Sequence, residues 1–468
     1  MSATSEGLDS TCSFSDFDVI GFDLDHTICK YKLDILFPLI YKCLVKHLVE
    51  DLGYDEDIAR PLEDDKDFVT KGLVCDVEKG NFFKFSEDGY ILRASHGTTP
   101  LSDDEIEEIY GKERHWAPFN NLKATLKQNA TVHFFENYFD MPGALVFARM
   151  VDLEDKKAGK RLYEYKFQRD IAASFEKVFR RQAYAEGSGG YFPSYKADPL
   201  KLIQPCSDSV KRWLRSLKES GKFVFLMTSS NVDYGVSLLE YTLGKDWQSY
   251  FDVSLFYARK PGFFTEEDPT KRPFLEIKDN CEVDTIVNDL EPGKFYSQGN
   301  VHEFMKLIYK ATGKTNAKVM YIGDSLRSDI FPPSQYANWT TVPILEEMEI
   351  EGMMEYSIDG DNDEPSSKKC KIIETNALER DIILSEQWGS FFVDKKTTGA
   401  SIHSDHEGFV AMNTLWGWFI KTYATFALPQ LDYISELPLD HKFHTFSHPD
   451  TKFGGFYPCI PKPLGKFL

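Results

Sequence analysis

The sequence predicts an α/β fold: a largely parallel sheet with a large α+β segment inserted after its first strand. Three observations predict it. Several short segments are almost wholly apolar, as strands buried on both faces must be. Helical spacing follows or precedes those segments, which is how an α/β unit is built. And the stretch from about residue 60 to 204 has a different texture from what flanks it, with hairpin signals first and helical spacing later.

The elements follow in order. Asp18–Leu24 reads as a buried strand ending in acid. Ile35, Leu36, Leu39, Ile40, Cys43, Leu44, Leu48 and Leu52 keep helical spacing, and Pro38 suits that helix only within its first turn. Phe82–Phe85 and Tyr90–Arg93 read as a hairpin turning at Asp88-Gly89. Helix is expected around Ile106–Tyr110 and Tyr165–Phe179. Val210–Leu217 suits a helix ended by Gly221, and Phe223–Met227 a buried strand. A short strand at Val253–Phe256, a helix at Val301–Tyr309 and a strand at Lys318–Ile322 complete the set. Residues 357–372 are acidic and polar and read as an exposed loop. The division expected is residues 1–59 and 205–350 for the core, 60–204 for the insert, and 351–468 for a C-terminal segment packing on the core.

Composition excludes several classes. The chain of 468 residues has 42% hydrophobic residues, including 37 Phe and 23 Tyr, so wholesale disorder is excluded. Its net charge of -20 argues against a generic nucleic-acid binder and against an anionic membrane surface as partner. No apolar run reaches the length of a membrane span. The first cationic residue is Lys30, which predicts neither a signal nor a transit peptide. Eight scattered Cys without a C-x-x-C pair predict reduced thiols and a cytoplasmic location. A homo-oligomer is compatible with the sequence and is not specified by it.

The chemistry collects at strand ends, where parallel sheets bind ligands. The first strand runs into Asp23-Leu24-Asp25-His26-Thr27, two carboxylates at i and i+2. One can attack phosphorus while the other handles a proton. The next ends in Thr228-Ser229-Ser230-Asn231, a source of hydroxyl and N–H donors. Arg259-Lys260-Pro261-Gly262 places a cation in a turn. The last ends in Gly323-Asp324 with Asp329 close behind, carboxylates suited to a hard cation such as Mg2+. Each has a plain alternative: Thr228 and Ser229 as caps, Lys260 as a solvated lysine, Asp324 as a helix cap. It is the four together, in this order, that point to catalysis.

The order resembles the haloacid dehalogenase-type phosphatases, and within them the cytosolic purine 5'-nucleotidase branch. The residues that carry this are Phe22–Thr27, Ala258–Phe264 and Tyr321–Ser325, joined by Gly72–Asp76, Gly80–Lys84 and Ala94–Gly97. The resemblance implies a Rossmann-like parallel-sheet core with a large α+β cap inserted after the first catalytic motif. It implies a Mg2+-dependent phosphomonoester hydrolase working through an aspartyl-phosphate. Asp23 would be the nucleophile and Asp25 the acid/base; Thr228, Ser229 and Lys260 would hold phosphate. Asp23, Asp25 (through its carbonyl) and Asp324 would hold the metal, with Asp329 behind them. The mutual repulsion of these acids should raise one pKa, expected at Asp25. The implied substrate is a small phosphorylated molecule, with a nucleoside monophosphate as candidate and Arg169 as its contact. Two departures stand out: Ala173 where an acid is expected one turn after Arg169, and His26 where a tyrosine is common.

Two other functions use the same residues: a catalytically inactive binding or scaffold protein, and a phosphotransferase delivering phosphate to a nucleoside. His441-x-x-His444-x-x-x-His448 and His403-x-x-His406 are read as surface histidines rather than zinc ligands, because Pro438 and Pro449 break the helix such spacing needs.

Overall fold

The computed structural model describes residues 10–354, 380, 384–397, 409–448 and 454–465. The loop expected at 357–372, with Cys370, and the pair His403 and His406 lie outside them.

An eight-stranded sheet forms the core. Its spatial order is Cys281–Val287, Phe274–Lys278, Lys294–Gln298, Val253–Phe256, Phe223–Met227, Val19–Phe22, Val319–Gly323 and Thr340–Pro343. The last six run parallel; the first two form an antiparallel extension at one edge. Val19–Phe22 is central because it is buried on both faces, with Val19, Ile20 and Phe22 fully enclosed. Its neighbours are Phe223–Met227, from which the sheet grows in one direction, and Val319–Gly323, from which it grows in the other. This is a topological switch point, and a crevice opens outside the carboxyl ends of such strands.

The long insert leaves and rejoins the core through a two-residue ladder, Lys30–Tyr31 against Ile203–Gln204. Within it lies a five-stranded antiparallel sheet ordered Thr99–Pro100, Ile91–His96, Asn81–Phe85, Leu73–Asp76 and Val132–Phe135. The expected hairpin is its centre, and Gly89 turns it at φ +89, a conformation glycine adopts without strain. The insert's longer helices are Asp103–Tyr110, Phe119–Thr125, Met141–Ala158, Gln168–Phe179 and Tyr191–Ala197.

Two expectations change. The first helix, Leu33–Lys46, packs against Met141–Ala158 and Gln168–Phe179 and so sides with the insert. Pro38 lies in its second turn, not its first. Buried Leu36, Phe37, Ile40, Tyr41 and Leu44 outweigh the missing backbone hydrogen bond.

The C-terminal part touches both sheets. Leu345 N–H donates to the Leu428 carbonyl beside the edge strand Thr340–Pro343. On the insert side, Trp416 donates Nε1–H to the Gly72 carbonyl at 2.6 Å. Lys84 and Arg93 of the insert bind Asp394 at 3.0 and 2.8 Å. The described cysteines are all free thiols. Among the described residues no helix is long and apolar enough to cross a membrane.

Candidate active site

The four strand ends converge. Carboxylate oxygens of Asp23, Asp324 and Asp329 lie within 4.8 Å of one another, all on buried residues. Among the described residues this is the one such cluster; His441, His444 and His448 form none. Lys260 enters the cluster, its Nζ 2.8 Å from Asp23 Oδ1 and 2.5 Å from Asp329 Oδ1. The ammonium also donates to the Met227 carbonyl at 3.1 Å and to Tyr321 Oη at 2.9 Å.

Local backbone explains the convergence. Asp23 N–H donates to the Ile322 carbonyl at 2.8 Å, so the sheet ladder carries the first acid to the end of its strand. Ser325 Oγ accepts from Ser328 N–H and caps the helical turn that brings Asp329 back over the strand end. Asp329 approaches so closely that a Cβ on Gly323 would meet its Cβ at 2.4 Å; only glycine fits. His26, Tyr257 and Arg259 have φ of 53, 47 and 52. Three non-glycine residues in left-handed backbone beside one crevice is a concentration of strain of the kind found at functional sites.

Asp25 is held differently. Its Oδ1 accepts from Tyr31 Oη at 2.6 Å, and its Oδ2 from Ser230 Oγ at 2.7 Å and Thr228 Oγ1 at 3.3 Å. Thr228 is fully buried beneath the surface on which Ser229 and Ser230 stand.

The electrostatics are unbalanced. Burial, with Asp329 and Asp25 nearby, pushes the Asp23 carboxyl up to about 8 despite Lys260. Burial and the charges of Asp23 and Asp329 push Asp324 well above the usual carboxylate range. The raised acids are therefore Asp23 and Asp324. Burial lowers the affinity of Lys260 for its proton, but Asp23 and Asp329 outweigh it and the ammonium is held charged. Asp324 Oδ2 is buried without a hydrogen-bond partner, and Asp23 Oδ1 meets only the Lys260 charge. A buried, partnerless carboxylate oxygen facing two further buried carboxylates is the donor set of a hard cation. The residues present fit a divalent metal ion.

A crevice of about 630 Å³ opens above the cluster. Asp23, Asp25, Ser229, Ser230, Lys260, Asp324 and Asp329 form its polar floor. Phe139, Phe175, Phe179, Tyr191 and Phe192 of the insert wall it, with Tyr257 from the core. Arg169 is not among the lining residues. It is exposed at the start of helix Gln168–Phe179, about one turn before Ala172, which lines the crevice together with Phe175 and Glu176.

Comparison with known proteins agrees with this geometry. A model of the 5' nucleotidase family matches residues 9–386. The chain belongs to the 5' nucleotidase family. It is 41% identical over 452 residues to human 5'-nucleotidase domain-containing protein 1, covering 96% of each chain. The Bos taurus protein of that name is 40% identical over 453 residues, again 96% of each. Human 5'-nucleotidase domain-containing protein 2 is 29% identical over 343 residues, 72% of this chain and 62% of that one.

Sequence patterns within this family member missed a layer of polar residues behind the acids. Glu136, from the insert, accepts from Ser325 Oγ at 2.6 Å and Leu326 N–H at 3.0 Å, bracing the loop that carries Asp324. Lys71 is fully buried 3.6 Å from Glu347 and 4.5 Å from the Tyr138 ring centroid. Glu347, Asp324 and Glu136 keep it charged against the cost of burial. No local spacing announces these residues.

Proposed function

We propose that this chain is a phosphomonoesterase of the 5'-nucleotidase type that works through an aspartyl-phosphate at Asp23. The observation that carries this function is the meeting of Asp23, Asp324, Asp329 and Lys260 on the floor of one crevice. Asp23 attacks phosphorus, and the bond to the leaving oxygen breaks. Asp25 gives that oxygen its proton, then takes a proton from the water that hydrolyses the aspartyl-phosphate. Ser229 and Lys260 hold the equatorial oxygens. Thr228 Oγ1, whose bond to Asp25 is the longest of the three, can turn to a phosphoryl oxygen.

Asp23, Asp324 and the Asp25 carbonyl would hold Mg2+, which when bound supplies positive charge to the phosphoryl oxygens. Asp329 is already committed: Oδ1 to Lys260 and Tyr321, Oδ2 to Ser325 N–H. That supports a holding role for it. The aromatic wall and the size of the crevice suit a substrate with a flat apolar part, such as a nucleoside monophosphate.

The test is a panel of nucleoside monophosphates, sugar phosphates and p-nitrophenyl phosphate assayed with Mg2+. Phosphate release that Asp23→Asn reduces at least about a thousandfold supports the function. Binding of Mg2+ with no turnover on the whole panel replaces it with a scaffold, and transfer to added nucleoside with a phosphotransferase.

A further inference from the structure

Asp25 is the end of a chain of buried hydroxyls that strand-end chemistry does not require. Tyr31 Oη donates to Asp25 Oδ1 at 2.6 Å. Tyr31 and Tyr234 hydroxyls are 3.0 Å apart, and Tyr234 and Tyr191 hydroxyls 2.8 Å apart. Tyr31 and Tyr191 are fully buried and Tyr234 is 5% exposed. Each hydroxyl has one proton. Because Tyr31 spends its proton on Asp25, the bond to Tyr234 must be donated by Tyr234. Tyr234 then has none left for Tyr191, so Tyr191 donates to Tyr234. All three protons point the same way, toward the carboxylate.

Such a one-way chain polarises each successive bond, so the last donor is stronger than a lone tyrosine. Its parts come from three places. Tyr31 sits on the ladder where the insert joins the core, Tyr234 in the first turn of core helix Val232–Thr242, and Tyr191 at the start of insert helix Tyr191–Ala197. Tyr191 and Tyr234 also line the crevice. Burial holds all three phenols well above their ordinary pKa, so they remain donors. On the other oxygen, Ser230 completes the grip at 2.7 Å, and the longer Thr228 bond is the one free to turn to phosphate. A carboxylate so held has one orientation, set partly by the insert.

We propose that Tyr31, backed by Tyr234 and Tyr191, is a positioning residue that aims Asp25 at the leaving-group oxygen. This rests on Asp25 being the acid/base, as proposed above. In the transfer step the leaving oxygen takes the proton from Asp25 as its bond to phosphorus breaks. Tyr31 keeps its own proton and loses nothing but the angle of its bond.

The test exploits the leaving group. An alkoxide must be protonated to depart, whereas p-nitrophenolate leaves unaided. The quantity is kcat/KM, which covers attack and departure but not the later hydrolysis of the intermediate. With the full chain and Mg2+, Tyr31→Phe should lower kcat/KM for a nucleoside monophosphate or β-glycerophosphate about 10- to 100-fold, a fraction of what a general acid supplies. For p-nitrophenyl phosphate the loss should be less than about threefold, so the ratio of the two rates shifts at least several-fold. Tyr234→Phe should shift the ratio less, and Tyr191→Phe least. In an Asp25→Asn background, Tyr31→Phe should add nothing. The ratio on one preparation does not depend on how much of it is folded, so partial unfolding cannot mimic the result. Equal losses on both leaving groups, or full additivity with Asp25→Asn, overturn the proposal while leaving the phosphatase function standing. A wild-type chain inactive on both substrates overturns the function first, and the positioning role with it.

Discussion

Two clusters of buried charge can be set side by side. One is the floor of the crevice, Asp23, Asp324 and Asp329 around Lys260. The other joins the insert to the C-terminal segment, where Asp394 lies between Lys84 and Arg93. The second is satisfied. Lys84 donates to Asp394 and to the Trp388 carbonyl, and Arg93 to Asp394 and the Glu386 and Gln387 carbonyls. Burial alone would raise Asp394, but Lys84 and Arg93 overcome it and hold the carboxyl below its usual range. The first cluster is the reverse: acids outnumber the cation, oxygens lack partners, and Asp23 and Asp324 are pushed up. The second cluster has one carboxylate for two cations, yet its charged groups are hydrogen-bonded to each other and to backbone carbonyls; in the first the acids outnumber the cation. A cluster left in deficit of positive charge is built for something that arrives from outside.

The same change should therefore act oppositely in the two places. Asp394→Asn strips the shared partner from two cations and should cost about 3–5 kcal/mol of stability. Asp324→Asn removes a repelled acid and should raise the melting temperature of the metal-free protein, by an amount worth about 1 kcal/mol. Urea or thermal melts in a chelator measure both. The comparison breaks if both variants lose stability alike.

Metal sharpens the contrast. The wild-type protein should gain about 2–3 kcal/mol when Mg2+ is raised to roughly 100 times its Kd. Asp324→Asn should gain close to nothing, and Asp394→Asn should gain as much as wild type from its lower baseline. Melts with and without Mg2+ read this without any substrate. A Mg2+ shift of equal size in Asp324→Asn would move the ion elsewhere.

The four motifs could be read in the sequence because each is short and sits where an apolar run stops. Asp23 and Asp25 are two positions apart, Asp324 and Asp329 five, and the strands before them are legible from apolar runs. The layer that supports them was not, because its contacts are long-range. Tyr31 meets Tyr234, Ser325 meets Glu136, and Tyr138 meets Glu347, each pair separated by most of a domain. A tyrosine bound for a hydroxyl chain looks, one residue at a time, like any core aromatic. Pro38 misled for a related reason: local propensity argued against its position, and the packing of the whole helix prevailed. The motif around Arg169 does not say which of its residues face the crevice: Ala172, Phe175 and Glu176 line it, and Arg169, one turn before Ala172, does not.

The smallest effect concerns the crevice wall. His133 lies on strand Val132–Phe135, its ring 4.7 Å from that of Phe135, with the Arg327 charge near. Burial, helped by Arg327, pulls its pKa from 6.5 down to about 4. Its folded pKa is therefore below the unfolded one. Between pH 6.5 and about 4 the unfolded chain takes up a proton that the folded chain refuses. Stability is unaffected by this group above that window and falls as pH drops through it. The ring is partly exposed, so water softens the cost, to about 1 kcal/mol at pH near 5. His133→Gln removes the titration and should flatten that part of the pH–stability curve while the acid-side loss from other carboxylates remains. The difference between the two curves isolates the histidine. A variant whose curve runs parallel to wild type from neutral pH to pH near 4 would mean that the crevice wall is wet enough to charge, and that the deficit of positive charge on the floor below is screened as well.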